Sequence, residues 1–124
     1  MTTNRNQLLG RQGEDLAADF LRRRGMRIVD RRVRYRRGEL DIVARDGAEW
    51  VFVEVKTRSS GRMGVAAEAF TGRKLGSLAR AAREYIDIHD LHHEPIRCDL
   101  VAIDFDAAGL PEITHYPAAA SLGR

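Results

Sequence analysis

A chain of 124 residues, 44% hydrophobic and 31% charged, has the length and balance of a single folded domain, which argues against a disordered or membrane-spanning protein. No apolar run approaches the roughly 20 residues of a membrane helix, the polar start lacks signal-peptide form, and the one cysteine, Cys98, excludes an internal disulfide, so the expectation is a cytoplasmic protein that does not engage a membrane. The net charge of +3 is unevenly spread: nine arginines lie between Arg22 and Arg37 against one acid, Asp30, a pattern that suits a polyanion because each cation near a phosphate releases condensed counterions.

In chain order, Leu9, Gly13, Leu16, Ala17, Phe20 and Leu21 recur at helical spacing and predict a helix over 7–24, with Gly25 as its C-cap. Gly10 and Gly13 weaken that helix, which points to a close backbone approach. Residues 26–35, rich in β-branched side chains, read as a highly charged strand. Residues 40–45 and 50–58 read as better strands, joined through the turn signal Asp46-Gly47 into a hairpin. A loop of small and polar residues follows over 59–64.

Residues 72–88 form an amphipathic helix, with Leu75, Leu78, Ala82, Tyr85 and Ile86 on one side and Arg73, Arg80 and Arg83 on the other. Residues 96–105, through Leu100-Val101-Ala102-Ile103, fit a strand buried on both faces. A short edge strand over 113–116 ends the domain, so that residues 4–116 fold as one unit and 117–124 fray. The expected class is α/β, a mixed central sheet flanked by helices.

The chemistry concentrates on the strand over 50–58. Alternation sends Val51, Val53, Val55 and Thr57 to one face and Trp50, Phe52, Glu54, Lys56 and Arg58 to the other. The second face starts aromatic and ends in an acid and two bases, so Glu54 and Lys56 stand at the margin of the covered region. With a two-residue turn Asp41 lies diagonal to Glu54, and with a four-residue loop directly opposite. Both arrangements suit two carboxylates converging on one hard cation such as Mg²⁺ or Mn²⁺. Lys56 then reaches a scissile phosphate or its attacking water, so the set meets the needs of phosphodiester hydrolysis. The competing readings are an ion-pair ladder across two strands and a hairpin slipped by one residue, which sends Asp41 to the opposite face.

Asp41 followed by Glu54-Val55-Lys56 resembles the D…(D/E)xK signature of the restriction-endonuclease-like nuclease superfamily, whose core order is helix, three strands, helix, strand. Gly10-Arg11-Gln12-Gly13-Glu14 with Ala17, Gly38-Glu39-Leu40-Asp41-Ile42-Val43-Ala44, Val53-Glu54-Val55-Lys56-Thr57-Arg58, and Glu68-Ala69-Phe70 with Lys74 resemble the YraN-like bacterial family more closely. The likeness covers roughly residues 4–105. It implies a metal-dependent nuclease acting on DNA in preference to RNA, including branched or damaged DNA in repair or recombination. It further implies that Glu14 completes a metal site with Asp41 and Glu54, as a first-helix glutamate does in Holliday-junction resolvase-like nucleases, and that the chain pairs as a homodimer. Glu39 is a supporting candidate or a solvated acid. Arg34, Arg36, Arg37, Arg58, Arg73 and Lys74 are the candidates for holding the nucleic-acid backbone. The alternative is a non-catalytic nucleic-acid-binding module of the same fold, and a plainer one a protein-interaction domain.

His89, His92 and His93 with Cys98 match no standard zinc spacing and read as a polar helix end. Residues 61–64 lack the lysine and hydroxyl of a phosphate-cradling loop and read instead as a lid. Trp50 and Phe52 read as core in preference to base-stacking groups.

Overall fold

The structure, a computed structural model, describes residues 4–122. The elements run α1 (Arg5–Arg23), β1 (Arg27–Tyr35), β2 (Gly38–Asp46), β3 (Glu49–Gly61), α2 (Val65–Glu68), α3 (Gly72–His89), β4 (Ile96–Asp106) and β5 (Pro111–Ala120). They build a five-stranded mixed sheet in the order β1-β2-β3-β4-β5. Neighbours are antiparallel except β3 and β4, which run parallel. A parallel pair needs a long crossover, and α2 with α3 supplies it.

The alternation of β3 decides the layering. Val51, Val53 and Val55 pack with Ala17, Ala18 and Leu21 of α1, while Phe52 packs with Leu78, Ala82, Tyr85 and Ile86 of α3. Trp50 lies beside the second cluster, as its core reading requires. The strands of 40–45 and 50–58 extend slightly further than the sequence pattern predicts, and the run Leu100 to Ile103 is buried on both faces.

α1 begins at a capping box. The Asn4 side chain accepts the Gln7 N–H at 2.8 Å, and the Gln7 side chain accepts the Asn4 N–H at 3.3 Å. It ends where Gly25 turns to φ +90 and its N–H bonds the Arg22 carbonyl. The two helix glycines differ. Gly10 has open space where a side chain would go, whereas a Cβ on Gly13 would overlap the Thr57 hydroxyl and lie 3.1 Å from the Thr57 Cβ. Gly13→Ala is therefore expected to destabilise the fold by about 1–3 kcal/mol through overpacking. Chemical denaturation measures this, and Thr57→Ala in the same chain should recover part of the loss.

Three stretches differ from expectation. The loop over 59–64 is shorter, because β3 continues to Gly61 and pairs it with Asp106 beyond an irregularity. The one-turn α2 follows; buried Asp104 accepts the Gly64 N–H at 3.2 Å and the Ala66 N–H at 2.8 Å, tying this loop to β4. Residues 117–120, expected to fray, instead continue β5, whose edge position tolerates Pro111 and Pro117. Asp99 accepts the Ala118 N–H at 2.9 Å, Arg83 donates to the Leu122 carbonyl at 2.9 Å, and Leu122 is buried. Gly123 and Arg124 lie outside the described residues.

Candidate active site

The β2–β3 hairpin pairs Ile42 with Val53, Val43 with Phe52, Ala44 with Val51, Arg45 with Trp50 and Asp46 with Glu49. Gly47 and Ala48 form the connection, Gly47 at φ +61. Continued by one step, this register sets Asp41 directly opposite Glu54, the arrangement of the longer-loop alternative. The pairing stops before it gets there. Leu40 packs on the α3 side and Ile42 on the α1 side, so two residues that should share a face lie on opposite ones. Alternation breaks at Asp41, where β2 parts from β3. The Asp41 carboxylate accepts the Val55 N–H at 2.8 Å, standing in for a strand-to-strand bond.

β1 is irregular at the same level. Arg31 pairs with Ile42 and Val33 with Leu40, and Arg32 between them adopts φ +53. That left-handed residue lets consecutive side chains reach the same helix. Arg31 donates to Asp15 at 2.6 Å and Arg32 Nε to Glu14 at 2.7 Å.

A cleft of about 1070 Å³ opens at this parting of strands, lined among others by Glu14, Asp41, Glu54, Lys56, Arg58 and Lys74. The structure thus brings together all four residues expected to carry chemistry. Glu54 is buried, and the Lys56 ammonium lies 2.8 Å from its carboxylate. Asp41 is pushed up to about 8, first by loss of solvent, then by repulsion from Glu54, against which the Val55 bond works, and further by Glu14 and Glu39. Arg32 is raised above its ordinary value, chiefly by the hydrogen bond and charge of Glu14.

Among the described residues no three His, Cys, Asp or Glu side chains are gathered as a metal-holding group. The donor set is an open one. Its oxygen chemistry nevertheless fits a hard divalent ion, which takes one or two carboxylates and fills its remaining positions with water and phosphate. Crowded carboxylates around a desolvated Asp41 are the environment that a cation relieves.

The arginine run divides into three. Arg22 pairs with Asp19, and Arg24 stacks over Phe20 at the far end of α1. Arg31 and Arg32 are tied to α1. Arg34 and Arg36 line the cleft with Arg58 and Lys74; Arg34 lies 3.6 Å from Glu39. Arg37 is exposed on the β1–β2 connection and Arg73 is exposed in the first turn of α3, and neither lines the cleft. Sequence reasoning passed over two contributors. Arg5 lines the cleft from the helix face that carries Leu9, four residues on, and helical spacing from Leu9 could have found it. Arg32 gives no such signal, since nothing in its residue type announces a positive φ. The histidines form no common site: His89 stacks on Tyr85, His92 pairs with Asp87, and Cys98 is buried, its thiol pushed up to about 12 by burial and Asp99. Among the described residues no helix is long and apolar enough to cross a membrane.

Residues 13–103 match the model of the Uncharacterised protein family UPF0102. A UPF0102 protein of Shewanella woodyi is 43% identical over 107 residues, covering 84% of this chain and 91% of its own. One from Anaeromyxobacter dehalogenans is 46% identical over 113 residues, 91% and 84% of the two chains. One from an Arthrobacter species is 48% identical over 108 residues, 87% and 92%.

Proposed function

We propose that this chain, which belongs to the uncharacterised protein family UPF0102, is a divalent-metal-dependent nuclease of restriction-endonuclease-like architecture that hydrolyses phosphodiester bonds in DNA. The observation that carries the reading is Asp41 itself: a desolvated carboxylate set where two strands part, repelled by the charge of Glu54, in a cleft that also holds Lys56 and a basic rim. A structural ion-pair ladder gives no reason to part β2 from β3 at this residue and to set its carboxylate among other acids.

Asp41 and Glu54 would hold Mg²⁺ or Mn²⁺, with Glu14 supporting them. A bound ion supplies a water acidic enough to attack and neutralises charge on the phosphoryl oxygen. Lys56, shared between Glu54 and the cleft, offers its ammonium to the charge that develops on the phosphate. Arg34, Arg36, Arg58 and Lys74 hold the flanking backbone without reading sequence. The Val55 bond aims Asp41.

The purified chain with Mn²⁺ should nick at least one member of a panel of duplex, single-stranded, flap and four-way DNA. Lys56→Ala should reduce the rate by about 10²–10³-fold and leave DNA binding nearly unchanged. Binding without cleavage of any DNA or RNA, with any divalent ion, would instead assign the chain to the non-catalytic nucleic-acid-binding class.

A further inference from the structure

We infer that Arg32 is a positioning residue for this cleft: its left-handed backbone and its bond to Glu14 hold that carboxylate toward the place where a cation binds. The inference rests on the metal-dependent reading above and deepens it.

Arginine at φ +53 is a conformation that side chains with a Cβ adopt only where the surroundings impose it, at a cost of about 1 kcal/mol or more. The strain stands at one place in β1, between the pairs Arg31–Ile42 and Val33–Leu40, which is the level at which Asp41 leaves the ladder of β2. In a regular strand, Arg31 and Arg32 would face opposite sides of the sheet. Here both reach α1, Arg31 to Asp15 and Arg32 to Glu14.

The Arg32 guanidinium engages Oε1 of Glu14 through Nε at 2.7 Å, and the Glu14 side chain is only 16% exposed. Glu14 Oε2 has no hydrogen bond among the described residues, while Glu14 itself lines the cleft. Oε1 is thus held by Arg32, in a residue that lines the cleft. Glu14 is close enough to Asp41 to disfavour its ionised form. A glutamate in that position without a fixed counter-cation would swing toward solvent, away from the other acids.

Groups that orient a metal ligand from behind typically change metal affinity by about 10–100-fold when removed. The test is calorimetric Mn²⁺ titration of the wild type, Arg32→Gly, Arg32→Lys, Glu14→Gln and the Arg32→Gly/Glu14→Gln double variant. Arg32→Gly removes the clamp and the backbone strain together, so it should fold with an unchanged or higher Tm. It should bind Mn²⁺ about tenfold more weakly and need about tenfold more Mn²⁺ for half-maximal cleavage. Arg32→Lys should recover part of the affinity, since it keeps the charge. In the Glu14→Gln background, Arg32→Gly should have no further effect, because both act through one carboxylate. Wild-type Mn²⁺ affinity in Arg32→Gly, or additive losses in the double variant, would overturn the role of Arg32 and leave the nuclease reading standing. A wild type that neither binds Mn²⁺ nor cuts DNA overturns both.

Discussion

Asp41→Asn should abolish metal-dependent cleavage and make the protein more stable at pH 8. The two effects have one origin. In the folded chain Asp41 holds its proton up to about pH 8, against an ordinary value of 3.8. Between these values the folded state binds the extra proton, so rising pH favours unfolding, and the penalty is complete only above pH 8. Asparagine keeps an oxygen for the Val55 N–H and carries no charge, so its advantage is absent near pH 4 and full near pH 8. Each tenfold gain in proton affinity on folding corresponds to about 1.4 kcal/mol, so the advantage at pH 8 should reach about 2 kcal/mol or more. For a chain of this size that is a Tm rise of roughly 8 °C. Mn²⁺ should stabilise the wild type at pH 8, by favouring the ionised carboxylate, and leave Asp41→Asn unmoved. Thermal unfolding at pH 4, 6 and 8 with and without Mn²⁺ measures all of this. A variant less stable than the wild type at pH 8 would show that Asp41 is a structural acid.

The largest loss of stability is expected far from the cleft, at Asp99. This residue is fully buried on β4 and accepts Arg97 Nε at 2.9 Å, the His115 ring at 2.7 Å and the Ala118 N–H at 2.9 Å. Arg97 continues the network to Glu49 at 2.7 Å and Asp46 at 3.2 Å, so one carboxylate joins β4 and β5 to the β2–β3 turn. Asp99→Ala removes the buried partner of Arg97 Nε and of the His115 ring and leaves the Ala118 N–H without its acceptor, and breaking a buried ion pair in this way costs about 3–5 kcal/mol. Tm should fall by roughly 12 °C or more. Asp99→Asn should lose less, because it can still accept the Ala118 N–H. Asp99 pairs in register with Val53, on the covered side of the point where Asp41 leaves the ladder. Cleavage below the new Tm should therefore stay close to wild type, which separates fold maintenance from the cleft's chemistry.

These residues also show what the sequence reveals unaided. The alternation of β3 is clean enough to place Val51, Val53 and Val55 against one helix and Phe52 against the other, and to put Glu54 and Lys56 together at the margin. The resemblance adds Glu14, and both turn lengths weighed for the hairpin put Asp41 on one face with Glu54. Strand arithmetic, however, presumes an unbroken ladder. It could not show that β2 parts from β3 at Asp41, that Arg32 turns left-handed beside it, or that the arginine run serves three different places. Nor does the plain composition of residues 117–120 reveal a strand, since what holds it is the buried Asp99, distant in sequence.

The most direct measurement is anomalous diffraction from crystals of the protein soaked in Mn²⁺ near pH 8. One strong peak is expected between the carboxylates of Asp41 and Glu54, on the side that Glu14 faces, and it should be lost in Asp41→Asn. A cleft with no peak in wild-type crystals, or Mn²⁺ bound only at other acids, would contradict the proposed metal site.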